Sequence, residues 1–255
     1  MNENNKHIFA IYLENLSKKI INSKNILIND VYLKTRLTNV LRLQPNEEFI
    51  LFDDRINVLL SLNEETLKNK NSLFATLIST EKNKQFKNQV VLAPALLKKE
   101  DFETAVYFAA EMGADIIQPV LTSKVQRKWH GDKELERLYK IIISACEQSK
   151  NFSMPSLLNP ISFEEFEIKT KNEFTNHKKI FFEDSTNPLI KTLNELDQNK
   201  EQDILLHFGP EGGLTNNEME RLKDLNFNFV SLTSTILKAT DAIALGLGCI
   251  RSIVN

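Results

Sequence analysis

ILLHFGPEGGLTNNEME, Ile204 to Glu220, is the stretch from which the fold can be read. Ile204, Leu205, Leu206 and Phe208 make an apolar run suited to a buried strand, and Gly209, Pro210, Glu211, Gly212 and Gly213 forbid its continuation. Thr215 and Glu218 then stand at the spacing of a capping box, in which a threonine oxygen takes an orphan amide and a glutamate returns to the cap's own amide. The unit reads strand, glycine loop, helix. The chain has seven glycines, and three of them fall within these five loop residues, so the backbone there adopts turns or close approaches that a Cβ would block.

Outward from this unit, the chain after Gln89 alternates strands and helices. Strands are expected at Val90–Leu92, Asp115–Leu121, Ile180–Glu183, Ile204–Phe208 and Phe229–Leu232. Helices are expected at Asp101–Met112, with Phe102, Ala105, Val106 and Ala109 on one face and a stop at Gly113, and at Lys133–Ser149, with Leu135, Leu138, Tyr139, Ile142 and Cys146 inward. Asn187 and Pro188 supply a cap and a first-turn proline. Such alternation means a mostly parallel sheet with helices on both faces, and ligands of such sheets bind outside the carboxyl ends of the strands, where GPEGG lies. The last segment, SLTSTILKATDAIALGLGCIRSIVN, leads through Thr233, Ser234 and Thr235 into a helix that is apolar on most sides. With Gly246 and Gly248 inside it, this helix is suited to close packing on the body or on a second subunit.

Before Gln89 the pattern is different. Strands at His7–Leu13, Asn25–Asp30, Phe49–Asp53, Val58–Leu62 and Leu73–Thr80, with one short helix within Asp30–Leu43, describe a small β-rich domain with the character of a barrel. No glycine precedes Gly113, so turns fall to Gln44-Pro45-Asn46-Glu47 and Asp53-Asp54. Glu81–Asn88 is polar and unpatterned and marks the junction. The division is into residues 1–82 and 83–255.

The bulk numbers exclude more than they assign. With 42% hydrophobic and 26% charged residues the 255-residue chain is globular in composition. Lys+Arg 32 against Asp+Glu 34 leaves −2, so nucleic-acid binding would need a local basic face. The beginning MNENNKHIFAIYLENL lacks signal-peptide order and no apolar run reaches membrane length, which points to the cytoplasm and to no membrane partner. Cys146 and Cys249 form no CxxC, and His7, His130, His177 and His207 form no metal motif, so no metal is expected. The glycine loop could bind an anion through its amides, but the P-loop lysine and the GxGxxG spacing are both missing. Glu211 would also repel phosphate while favouring a cation or a hydrogen-bond donor; a purely structural turn is the alternative.

The pairing of HFGPEGGLTNNE with SLTSTILKATDA resembles the signature of the SPOUT superfamily of methyltransferases. More closely it resembles the family that methylates N3 of a uridine in small-subunit (16S) ribosomal RNA. VLRLQPNEEFILFDD, AAEMGADIIQPVLTSK and IIISACEQS extend the resemblance over almost the whole chain, in the family's order. It implies an α/β protein: an N-terminal PUA-like β-barrel that binds RNA, then a SPOUT α/β domain with a C-terminal trefoil knot, S-adenosylmethionine as cofactor and a homodimer. Carried over by motif, Gly209, Pro210, Glu211, Gly212, Gly213 and Leu214 would line the cofactor, and Leu232, Ile236 and Leu237 would close over its adenine.

Uracil N3 carries a proton, so methylation needs a base or a cation to stabilise the anion. Lys238 is the cation by motif. Asp241 is a candidate acceptor, with a helix cap as its other reading. Lys34, Arg36 and Arg42, with Lys124, Arg127 and Lys128, are candidate phosphate contacts, each with plain solvated surface as the alternative, and Trp129 could stack on a base or pack in a core. The chain departs from the family's usual RILRAETA-like string at Thr235, Lys238 and Thr240, and has Phe108, His7 and Lys150-Asn151 where basic residues are common. A ribosomal-RNA-binding assembly factor without chemistry, and a methyltransferase for another nucleotide, are the competing readings.

Overall fold

The computed structural model describes residues 8–20, 24–183, 186–195 and 202–254. His7, an expected strand start and one of the departures from the family, lies outside them, as does Asn255. The chain divides into two compact units, Met1–Lys84 and Gln85–Asn255.

The first unit contains β1 (Phe9–Tyr12), α1 (Leu16–Lys19), β2 (Asn25–Ile28), α2 (Val31–Thr35), β3 (Glu48–Phe52), β4 (Ile56–Leu62), α3 (Glu65–Lys68) and β5 (Leu73–Lys82). Its strands form one sheet in the order β1-β3-β4-β5-β2, with β1 parallel to β3 and the other neighbours antiparallel. Alternation puts Val58, Leu60 and Leu62 of β4 on the same buried cluster as Phe49, Leu51, Leu73 and Ala75. The helix expected across 30–43 is divided. Asp30 Oδ1 accepts the Leu33 amide at 2.9 Å to open α2, which continues as a π-helical turn, Arg36–Val40, and keeps Leu33 and Leu37 on the core. Side chains close the glycine-free turns: Asp53 accepts the amides of Ser17, Arg55 and Ile56, and Asn46 takes φ 68°. β5 also runs through Glu81 and Lys82, further than its apolar pattern extends, because the register with Ile56 and Asn57 of β4 continues.

The second unit is built from β6 (Val90–Pro94), α4 (Lys99–Glu111), β7 (Ile116–Ile117), β8 (Val120–Leu121), α5 (Asp132–Ser149), β9 (Ser156–Leu157) and β10 (Ile161–Ser162). It continues with α6 (Phe163–Asn172), β11 (Lys178–Phe182), α7 (Leu189–Glu195), β12 (Ile204–Phe208), α8 (Asn216–Asp224), β13 (Asn228–Val230) and α9 (Ala239–Arg251). Six strands make a parallel sheet in the order β13-β11-β12-β6-β7-β9. The chain leaves β6 toward β7 and β9, returns on the far side at β11, and inserts β12 between β11 and β6. Such a reversal opens a crevice at the carboxyl ends of the strands.

The single strand expected at Asp115–Leu121 is in fact two. β7 stays in the main sheet, while β8 pairs with β10, because Pro119 between them has no amide to donate to a continuing ladder. On α5, Leu138, Ile142 and Cys146 face inward as expected, but Tyr139 is exposed and Leu135 half-buried. Glu134 is buried in their stead because it is paired to Arg127.

Both sheet faces are covered. His207, Ala93 and Phe181 share one face and meet Phe166 of α6 and Phe227 beyond α8, while Phe208 and Phe182 on the other face meet α9. A Cβ on Gly246 of α9 would lie 3.0 Å from the Phe208 ring and 3.1 Å from that of Phe182, so the glycine sets how closely helix and sheet approach. Cys146 is buried, Cys249 partly so, and both are free thiols; burial pushes the Cys146 thiol up to about 12. Among the described residues no helix is long and apolar enough to cross a membrane.

His207 is fully enclosed between Phe163, Phe166, Phe181 and Phe227; its Nδ1–H donates to the Ala93 carbonyl at 2.6 Å, and Nε2 is buried without a partner. Burial lowers its pKa to about 4 from an ordinary 6.5. Below 6.5 the unfolded chain binds a proton that the native ring refuses, so stability falls as pH drops from there toward 4. We expect a loss of about 2 kcal/mol between pH 6.5 and pH 5 from this residue, read from urea unfolding curves. His207→Gln should flatten that slope, and an unchanged slope would locate the acid sensitivity elsewhere.

Candidate active site

At the carboxyl end of β12 the chain enters the glycine loop. The Gly213 amide donates to the Pro210 carbonyl at 2.8 Å, closing a turn with Gly213 at φ 65°, a left-handed value that explains a glycine there. Lys124 Nζ donates to the Gly212 and Leu214 carbonyls at 2.9 and 3.1 Å and clamps the loop from outside. The capping box forms: Glu218 N–H donates to Thr215 Oγ1 and Thr215 N–H to Glu218 Oε2.

Glu218 does more than cap. Its Oε1 accepts the Ser123 amide at 2.7 Å, tying the start of α8 to the loop that follows β8. Burial pushes its carboxyl up, but the amides of Thr215 and Ser123 outweigh it and hold the pKa below the usual range. Glu218→Ala should therefore cost about 2 kcal/mol at neutral pH in thermal unfolding. A group with a depressed folded value stabilises above its unfolded pKa and loses that contribution as pH falls through the folded one, so the deficit should shrink in acid.

The second bend follows β13. Thr233 Oγ1 donates to the Thr235 carbonyl at 2.6 Å, and the chain enters α9 at Lys238. The two bends meet across the ends of β11 and β12 and line one open cavity of about 350 Å³. Gly209, Pro210, Glu211, Gly213 and Leu214 line it from the first bend, and Leu232, Ile236 and Leu237 from the second. Gly212 faces the neighbouring hollow instead, a shift of one residue imposed by the turn. Sequence reading passed over Phe181, Phe182 and Glu183 at the end of β11, and also Met219, Thr233 and Ala242. The signal for the first three was available: β11 adjoins β12, and binding sites form at adjacent strand ends.

The expected catalytic pair is not among the cavity walls. Lys238 is exposed and its Nζ is hydrogen-bonded to Asp101 Oδ1 of α4, a bond that raises its pKa. Asp241 is exposed in the first turn of α9, where the cap position belongs to Lys238.

The basic candidates separate as well. Arg127 is ion-paired with buried Glu134 and lies over the rings of Phe102 and Trp129, so its charge is compensated within the protein; Trp129 packs edge-on against Phe102. Lys124 is taken up by the glycine loop. Lys128 is exposed, as is Arg42 in the first unit, while Lys34 and Arg36 are half-buried along α2 and its π-helical extension. Among the described residues no group of three or more His, Cys, Asp or Glu could hold a metal ion.

Comparison with known proteins agrees with this architecture. Ribosomal RNA small subunit methyltransferase E of Rickettsia conorii is 30% identical over 237 residues, covering 90% of each chain. Its counterpart from Mesomycoplasma hyopneumoniae is 34% identical over 172 residues, 66% of this chain and 72% of that one. The crystal structure of a ribosomal RNA small subunit methyltransferase E from Neisseria gonorrhoeae bound to S-adenosyl methionine covers 97% of this chain and 98% of its own with a TM-score of 0.76 at 22% identity, a likeness of fold. The family model for an RNA methyltransferase domain matches residues 84–251, the span that holds the cavity and both bends, and the chain belongs to that RNA methyltransferase family.

Proposed function

We propose that this RNA methyltransferase moves a methyl group from S-adenosylmethionine to N3 of a uridine in small-subunit ribosomal RNA. The observation that carries the reading is the single cavity walled by the glycine bend and the threonine-rich bend. Its walls fit the cofactor. Phe181, Phe182, Phe208, Leu232 and Leu237 give apolar walls, and among the described residues its charged walls are Glu183 and Glu211, acidic groups that favour a sulfonium cation. Ile236, an apolar side chain 86% exposed at the rim, is placed to close over an adenine. When bound, S-adenosylmethionine supplies an electrophilic methyl group; the protein's part is to hold donor and acceptor in line.

The reading extends to the first unit as a PUA-like barrel that positions RNA through Lys34, Arg36 and Arg42, and to a trefoil knot in the second. It further takes the enzyme as a cytoplasmic homodimer, for which Leu245, exposed on apolar α9, gives support. Mapping modified bases in ribosomal RNA from cells lacking the gene tests the target: loss of N3-methyluridine from the small subunit is expected, and an unaltered level would remove it.

One observation favours a second reading, an RNA-binding assembly factor without chemistry. Lys238, the cation expected by motif, is held by Asp101. Titration calorimetry with S-adenosylmethionine separates the two readings, since only the methyltransferase must bind it.

A further inference from the structure

The first turn of α4 moors both bends of the cofactor cavity. In a capping box the third residue of a helix accepts the amide of the cap residue. Asp101 holds that position behind the cap residue Lys98, yet the Lys98 amide donates to Glu211 Oε1 of the glycine bend at 3.2 Å, across 113 positions of sequence. Asp101 turns instead to the second bend, where its Oδ1 accepts from Lys238 Nζ. Resting on the methyltransferase reading above, we propose that Asp101 is a positioning residue for S-adenosylmethionine: by holding Lys238 it keeps Ile236 and Leu237 against the bound cofactor.

Placement is the first argument. Lys238 directly follows Ile236 and Leu237, which line the cavity, and Glu211 lines it from the other bend, so the two walls share one anchor. The threonine-rich bend is held at its ends. Before it, the Ser231 amide donates to the Asn187 carbonyl and the Leu189 amide to the Ser231 carbonyl, each at 2.9 Å; after it, Lys238 meets Asp101. Thr233, Ser234, Thr235 and Ile236 between these points are exposed, and Thr233 Oγ1 bonds inside the bend, to the Thr235 carbonyl. A segment with so little buried surface takes its shape from its moorings.

Magnitude is the second. The Lys238 side chain is 56% exposed and that of Asp101 20%, so the pair adds little to the stability of the whole protein. It acts on a smaller equilibrium, the arrangement of one bend, and apparent affinity scales with the fraction of molecules whose bend stands in the binding arrangement. An interaction too weak to move the melting temperature can therefore move affinity severalfold. Tied in this way, Lys238 has a task in cofactor binding, distinct from the cation at uracil N3 expected from its motif.

The test is calorimetry on the full-length protein with S-adenosylmethionine and with S-adenosylhomocysteine, whose sulfur is a neutral thioether. Asp101→Ala should weaken both ligands by about fivefold, Lys238→Met should do the same, and the double variant should be no worse than either single one, because one interaction is lost in all three. Glu100→Ala removes the same charge from the same helix turn and should keep wild-type affinity. Melting temperatures of all four variants should stay within about 3 °C of the wild type. Wild-type affinity in Asp101→Ala overturns the proposal. So does a loss confined to S-adenosylmethionine, which would be charge attraction alone, a double variant in which the single losses multiply, or a loss accompanied by a larger fall in melting temperature. A wild type that binds neither ligand overturns the functional reading itself, an outcome distinct from these four.

Discussion

Arg251→Ala is expected to destabilise the protein by about 3–5 kcal/mol, the largest effect of any single substitution considered, because it breaks a buried ion pair and orphans its partners. Arg251, at the end of α9, is buried. Its Nε donates to the Gly113 carbonyl and Nη1 to the Asn88 carbonyl, each at 2.8 Å; Nη2 meets Asp115 Oδ2, and the guanidinium lies 4.1 Å above the Phe86 ring. Burial lowers its pKa from the ordinary arginine value, with Asp115 opposing, so a charge is being held against a desolvation cost. Truncation leaves the buried Gly113 and Asn88 carbonyls without their donor and Asp115 without its cation, although Asp115 Oδ2 still accepts the Val90 amide. Arg251→Lys keeps the charge but cannot serve three acceptors in a fixed plane, and should recover only part of the loss. Urea unfolding monitored by circular dichroism reads both variants, and a change below about 1 kcal/mol for the alanine would mean the cluster relaxes around the gap. Because α9 also contributes Ala239 and Ala242 to the cofactor cavity, affinity for S-adenosylmethionine should fall with it.

Gly209→Leu should abolish cofactor binding while sparing the fold. The backbone at Gly209 is not left-handed, and a Cβ there would sit 3.7 Å from Leu214 and 3.9 Å from Phe181, ordinary contact distances. The first carbon therefore fits. Further atoms must extend among cavity walls, and in a volume of about 350 Å³ they take the ligand's place. Calorimetry should show at least about a hundredfold loss of S-adenosylmethionine affinity, near 3 kcal/mol, with Gly209→Ala close to wild type. A leucine variant that still binds would place the cofactor outside this cavity.

Much of the second unit was legible because its signals are local. Ile204–Phe208 is the strand read from the apolar run, Thr215 and Glu218 make the capping box their spacing required, and α4 turns Phe102, Ala105, Val106 and Ala109 inward as its period indicates. Asp115–Leu121 reads as one strand by apolar content, but the missing amide of Pro119 sends β8 to a different partner from β7. On α5, the inward position of Glu134 cannot be read from helical period, since what permits it is the guanidinium of Arg127.

The side chains expected to carry charge chemistry were the least legible. A lysine or arginine in sequence looks available until the fold shows what it meets. Lys238 meets Asp101, 137 positions away, and Lys124 meets carbonyls 88 and 90 positions away.

The order of residues alone determined the strand, the loop and the cap around Ile204–Glu220, because strand burial, glycine turns and helix caps depend on neighbours within a few positions. Tertiary structure decided which bend faces which, that Glu183 joins the cavity, that Glu211 stands between two hollows, and which cations remain exposed. Those outcomes depend on the insertion of β12 between β11 and β6 and on partners roughly a hundred residues apart, and no local pattern encodes a long-range contact of that kind.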